Sequence, residues 1–169
     1  MSYKRPTDDE YFMNIALAVR QKANCLGKKV GTIIVKDRRI ISTGYNGTPQ
    51  GMKNCLDGGC KRCSERDKFP RGKGMGLEVC ICVHAEQNAL LAAARFGISV
   101  EGSVLYTTMQ PCFNCTKEML QAKIVEVVYL HPYAPIQELQ DEYEKLTNHF
   151  PKGFRKIELE DPLIDWAMV

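Results

Sequence analysis

The sequence predicts an α/β fold, a three-layer α/β/α sandwich around a central five-stranded mixed sheet. Three observations carry this. A β-branched hairpin lies near the start; helix and strand patterns then alternate from His84 onward; and the whole runs to 169 residues, the size of one domain. Alternation of that kind builds a largely parallel sheet, and the hairpin makes it mixed. With 44% hydrophobic and 25% charged residues, neither disorder nor a collagen-like repeat fits the chain.

The elements follow in order. Thr7 and Glu10 form a capping-box pattern. Phe12, Ile15, Ala16 and Val19 then recur at helical spacing, so a helix is expected to about Ala23. Val30 to Val35 is short and β-branched, Lys36-Asp-Arg-Arg39 is a polar turn, and Ile40 to Gly44 is the return strand. Residues 44 to 79 hold neither period and are rich in Gly, Lys, Arg and Cys. So long an irregular stretch needs something to organise it, and a metal would serve. From His84, the run Ala85, Ala89, Leu90, Ala92, Ala93 is helical, with Gly97 as its stop. Val104 to Thr108 is a strand, a helix begins near Pro111, Val125 to Leu130 is a strand, Ile136 to Leu146 a helix and Phe154 to Leu159 a last strand. The domain division is a single domain over 1–169, with a Cys-rich insertion at about 44–82 and a distinct C-terminal segment at 131–169.

No apolar run reaches the ~20 residues that span a bilayer, and the first residues lack a secretory pattern, so no membrane partner and a cytoplasmic setting are expected. There, eight cysteines point to metal or catalysis rather than disulfides. A formal charge of +3 is too small to imply a nucleic-acid partner.

Two motifs carry chemistry: His84-Ala85-Glu86 and Pro111-Cys112-Phe113-Asn114-Cys115. Cysteines at i, i+3 on a helix start project from one face, where the helix dipole favours the thiolate that ligates. His84 is a third ligand suited to zinc. Three protein ligands leave a fourth position for water, as in catalytic rather than structural zinc sites. Glu86, two residues after a ligand, is placed to take and return that water's proton. Taken alone, Cys-x-x-Cys also suits a redox pair or half of a structural site, and Glu86 also suits a surface first turn.

In order along the chain, the two motifs resemble the signature of zinc-dependent nucleobase deaminases. The chain is similar to the cytidine and deoxycytidylate deaminase superfamily, most closely to its deoxycytidylate branch. The resemblance rests on Cys25, Lys29-Val30-Gly31, Arg39 to Gly47, Asn54-Cys55 and His84 to Leu90, and covers roughly residues 8 to 130. It implies hydrolytic deamination of dCMP to dUMP and ammonia, supplying dUMP for thymidylate synthesis. In that scheme an activated water attacks C4 of cytosine, Glu86 moves the protons, the backbone around Ala85 holds the pyrimidine O2, and Asn46 contacts the sugar. It also implies possible effectors, dCTP or dTTP with Mg²⁺, near Gly44-Tyr-Asn-Gly47, and a homo-oligomer, a hexamer being favoured. Other cytosine or base substrates are the first alternative. A zinc-stabilised nucleic-acid-binding module without catalysis is the second, and the intact Glu86 argues against it.

Five of the six remaining cysteines fall within residues 55 to 82. A closed four-thiolate zinc site would order that stretch. By resemblance to bacterial members of the branch, Cys25, Cys55, Cys60 and Cys80 are its expected ligands. Cys63 and Cys82 remain open choices, since Cys60-x-x-Cys63 is itself a good bite and Cys80 and Cys82 would face one side of a strand. With both zinc sites filled, the formal charge falls to about +1. Lys61, Arg62, Arg66, Lys68, Arg71 and Lys73 crowd the insertion, either as a phosphate-attracting patch or as a solvated loop. His131 and His149 read as surface or turn histidines. Trp166 packs the tail or a subunit contact.

Overall fold

The computed structural model describes residues 4–68, 80–133 and 137–168. Its elements are α1 (Asp8–Arg20), β1 (Gly31–Lys36), β2 (Arg39–Tyr45), the short α2 (Lys61–Ser64), α3 (Ala85–Arg95), β3 (Val104–Met109), α4 (Phe113–Gln121), β4 (Glu126–His131), α5 (Gln140–Thr147), β5 (Gly153–Lys156) and the short α6 (Ile164–Ala167). The sheet order is β2-β1-β3-β4-β5. β1 runs antiparallel to both β2 and β3, whereas β3, β4 and β5 are mutually parallel, so the sheet is mixed as expected.

The side-chain alternation of the strands builds two cores. Ile33, Val35, Tyr106, Val128 and Leu130 face Phe12, Met13, Ala16 and Leu17 of α1. Their neighbours Ile34, Leu105 and Val127 point the other way, onto Ala89 of α3, Met119 of α4, and Ile124 and Phe150. Helices therefore cover both faces.

Local chemistry sets the ends. The Thr7–Glu10 capping box is present, with Thr7 N–H donating to Glu10 at 2.7 Å. α1 stops at Arg20, short of the expected Ala23, because Lys22 and Ala23 donate to the carbonyls three residues back and tighten the last turn. The hairpin turn places Asp37 and Arg38 at positive φ (49° and 59°), the primed geometry that matches strand twist. α3 ends as predicted at Gly97, with Ile98 N–H reaching Ala93 O at 2.9 Å and Gly97 N–H reaching Ala94 O at 3.1 Å. α4 begins at Phe113 rather than Pro111, with Cys112 as its N-cap. α5 is a turn shorter at its start than expected, following a 3₁₀ turn at Gln137–Leu139, and position 136 lies outside the described residues. β5 ends at Lys156, three residues early.

The C-terminal segment caps the α1 face. Ile157 and Leu159 pack against that core, and Lys29 N–H donates to Ala167 O at 2.8 Å. Asp161 accepts two bonds from Arg20, at 2.6 and 2.7 Å, with both side chains buried, and a third contact from His131 Nε2 at 2.6 Å. Burial pushes the Asp161 carboxyl up, but Arg20, His131 and the Leu163 N–H outweigh it and hold it down at about 2. His131 is thus a half-buried hydrogen-bonding partner of Asp161 at the end of β4, not a surface histidine; its strand position aims it at the tail. His149 is exposed in a turn. Trp166 packs the tail, with Lys29 Nζ 5.6 Å from its ring centre. No helix among the described residues is long and apolar enough to cross a membrane.

Candidate active site

His84 and the helix it caps are placed by a close approach. A Cβ on Gly44 of β2 would lie 2.2 Å from Ala85 O and 2.5 Å from Ala89 N, so only glycine lets the strand abut the start of α3. Gly47 and Val83 exchange backbone bonds at 2.8 and 3.2 Å, which brings Asn46 alongside His84. Gln87 secures the cap, accepting from His84 N–H at 3.1 Å and donating to Glu118 of α4 at 3.0 Å.

Cys112 and Cys115 come from the start of α4. Thr116 donates to Cys112 O at 2.9 Å, and Tyr143 of α5 donates to Pro111 O at 2.6 Å while accepting from Gln110 at 3.2 Å. Tyr143 and Gln110 thus brace the Pro-Cys loop. Neither was singled out in the sequence: Gln110 adjoins the motif, but the reach of Tyr143 across to it leaves no local trace.

The trio converges. Both Cys112 Sγ and Cys115 Sγ lie 3.4 Å from His84 Nδ1, and the three ligand atoms are mutually within 4.8 Å. Tetrahedral zinc with bonds of about 2.0–2.1 Å to nitrogen and 2.3 Å to sulfur puts such atoms ~3.5 Å apart, so the residues fit that ion. A hydrogen bond from Cys115 and the facing His84 hold the Cys112 thiol down at about 4 despite burial. Cys112 in turn raises His84 to about 9 against the opposing effect of burial. Glu86 is 4% exposed, and burial pushes its carboxyl up to about 7, with the Cys115 thiol donating to it. A carboxyl poised there both takes and gives protons near neutrality.

Ala85, fully buried, is the first residue of α3, where a backbone N–H has no partner within the helix. Asn46 is also buried. Its Oδ1 accepts from Val30 N–H at 2.8 Å and its Nδ2 donates to Lys28 O at 2.7 Å. One Nδ2 hydrogen and one Oδ1 lone pair are left for a ligand.

The four cysteines expected to share one site do not meet as a four. Cys25 and Cys55 group with Cys63 and Cys82, and Cys60 and Cys80 group with the same two. Cys63 lies three residues after Cys60 across α2, and Cys82 two residues after Cys80 in extended chain, so both reach the middle of the cluster. In the basic insertion, Lys68 pairs with Glu65 at 3.2 Å and Arg66 donates to Leu26 O at 3.2 Å; Arg71 and Lys73 lie outside the described residues.

Residues 6–131 match the model of the cytidine and deoxycytidylate deaminase zinc-binding region. The chain is 42% identical over 129 residues to a Saccharomyces cerevisiae deoxycytidylate deaminase, covering 76% of this chain and 39% of that protein. It therefore spans about two fifths of that relative's length. It is 41% identical over 126 residues to the deoxycytidylate deaminase of Mycobacterium phage D29, covering 74% of this chain and 95% of that one. The structure resembles the dCMP deaminase of cyanophage S-TIM5, solved with dCMP and dUMP, at a TM-score of 0.69 and 30% identity, over 92% of this chain and 100% of the other. With His84, Glu86, Cys112 and Cys115 assembled inside the matched region, the chain belongs to the cytidine and deoxycytidylate deaminase family.

Proposed function

We propose that this protein hydrolyses dCMP to dUMP and ammonia. The observation that carries this reading is the convergence of His84 Nδ1, Cys112 Sγ and Cys115 Sγ beside the buried Glu86. The choice of dCMP among cytosine substrates is supported by relatives named deoxycytidylate deaminase at 41–42% identity and by the dCMP- and dUMP-bound structural neighbour.

A zinc ion held by these three ligands would acidify a water in its fourth position. Glu86 takes a proton from the attacking water and delivers it to N3 of the pyrimidine. It then takes the remaining proton from the new hydroxyl at C4 and hands it to the departing amine, so that the C4–N bond breaks, the C4 carbonyl forms, and one water is consumed for each ammonia released. The N-terminus of α3 at Ala85 offers backbone N–H groups to the pyrimidine O2. Asn46 has spare amide capacity for the sugar. The burial that makes Glu86 reluctant to ionise also excludes bulk water from this exchange.

The test is turnover of dCMP, deoxycytidine, CMP and dCTP, followed by loss of cytosine absorbance in the zinc-loaded protein with Glu86→Ala as control. Turnover confined to dCMP and abolished in the variant is expected. Turnover of the nucleoside instead keeps the chemistry and overturns the substrate. The family resemblance extends the proposal to a homo-oligomer and to control by dCTP or dTTP with Mg²⁺. Added dCTP is then expected to change the shape of the rate curve against dCMP, and an unchanged curve discards that control.

A further inference from the structure

We infer that the cysteine cluster is a binuclear site: two zinc ions held by six thiolates, with Cys63 and Cys82 bridging both, Cys25 and Cys55 terminal on one, and Cys60 and Cys80 terminal on the other.

The grouping itself leads there. The six sulfurs form two sets of four, each mutually within 4.8 Å, and the sets share Cys63 and Cys82. Two tetrahedra sharing an edge have this arrangement. A tetrahedron with ~2.3 Å zinc–sulfur bonds has edges of ~3.8 Å. The observed separations match: Cys25–Cys63 3.9 Å, Cys60–Cys80 3.8 Å, Cys63–Cys80 3.6 Å, and the shared edge Cys63–Cys82 3.9 Å. All are far beyond the ~2.05 Å of a disulfide. A single zinc would use one set and leave two thiols packed against it without a metal.

The surroundings suit an anionic cluster. Backbone N–H groups point at the terminal sulfurs: Leu26 at Cys55, at 3.3 Å, Gly27 at Cys25 and Cys82 at Cys80. Such donors stabilise thiolates. Lys29 is 6% exposed, with its Nζ 5.6 Å from the Trp166 ring centre and no carboxylate paired to it among the described residues, and the charges of Cys25 and Cys55 favour its ammonium form against burial. Buried ammonium groups need an opposite charge, and two zinc ions with six thiolates carry −2. Two ions sharing two thiolates serve all six ligands at the same net charge as one ion with four.

The cluster joins four segments that share little regular structure: the loop after α1, the turn at Cys55–Asp57, α2, and the extended chain at 80–82. Cys82 is two residues from His84. The binuclear site is thus a positioning device for the catalytic histidine as well as a staple for the insertion.

Zinc content per chain by native mass spectrometry, with zinc-edge X-ray absorption, tests this. About three zinc ions per chain and a metal–metal vector are expected, one ion belonging to the catalytic trio. Cys115→Ala should remove one ion and keep the vector, which separates failure of the catalytic reading from failure of this one. Cys63→Ser should abolish the vector and lower the count, whereas a vector retained in that variant overturns the bridging role. If Cys63→Ser does not fold, the wild-type measurement decides alone: zinc bound without a metal–metal vector overturns the proposal.

Discussion

The molecule holds its thiols in two contrasting ways. The His84, Cys112 and Cys115 trio sits at the N-termini of α3 and α4, which pack on the sheet through Ala89 and Met119, and hydrogen bonds to Gln87 and from Thr116 set the two helix starts. The six-cysteine cluster sits among turns and a four-residue helix, with a core made of its own thiols, Leu26 at its edge. The fold builds the first site and lends it to a metal. In the second, the ligands stand where a hydrophobic core would be. On the binuclear proposal, metal would supply chemistry in one region and folding energy in the other.

The sharpest way to press that difference is at Glu86. Glu86→Gln keeps the shape of the trio and removes proton transfer, so kcat should fall by on the order of 10²–10⁴-fold with zinc content and circular dichroism unchanged. A loss of zinc in that variant would mean Glu86 supports the metal rather than the reaction. Next comes metal removal. After chelation, hydrogen exchange should rise steeply over 46–68 and 80–84, while β1, β3 and β4 stay protected. Uniform deprotection would show that the sheet also depends on metal.

The α1 face, across the sheet from the trio, relies on an ion pair between Arg20 and Asp161. Arg20→Met strands the buried Asp161 and should cost about 3–5 kcal/mol in urea unfolding, with the cluster's zinc retained. Because the Asp161 carboxyl is held down at about 2, below its unfolded value of 3.8, this pair stabilises the fold fully above about pH 4. That contribution is lost as pH falls from about 4 to 2, and Asp161→Asn should flatten the stability curve in that window. The smallest effect is at Lys123, which ends α4 at φ 61°. Lys123→Gly should raise stability by about 0.5–1 kcal/mol, because glycine enters this region without a Cβ penalty. The exposed Lys123–Glu101 pair lost with it is worth little.

Much of the fold was legible because its signals are local. The capping box at Thr7, the β-branched hairpin, the Gly97 stop and the spacing of Cys112 to Cys115 are each decided within a few residues. Boundaries slipped where a tertiary contact intervened, as at Ala23, where the chain leaves the helix for the cluster. His131 looks like a surface histidine in the chain because its partner, Asp161, lies 30 residues on. Tyr143 has no local signature because it reaches Pro111 O and Gln110 across the gap from α5 to the loop.

The candidate reactive set is legible in the chain, since His84, Glu86, Cys112 and Cys115 occupy short motifs whose spacing places them at helix starts. The chain also determined that the stretch around Cys55 to Cys82 must lean on cysteine, because no apolar period is available there. Which cysteines group together is set only in three dimensions. Sulfur groups by distance in space, and the loop from α1, the turn at Cys55, α2 and the chain before α3 meet only once the sheet has brought Gly47 against Val83.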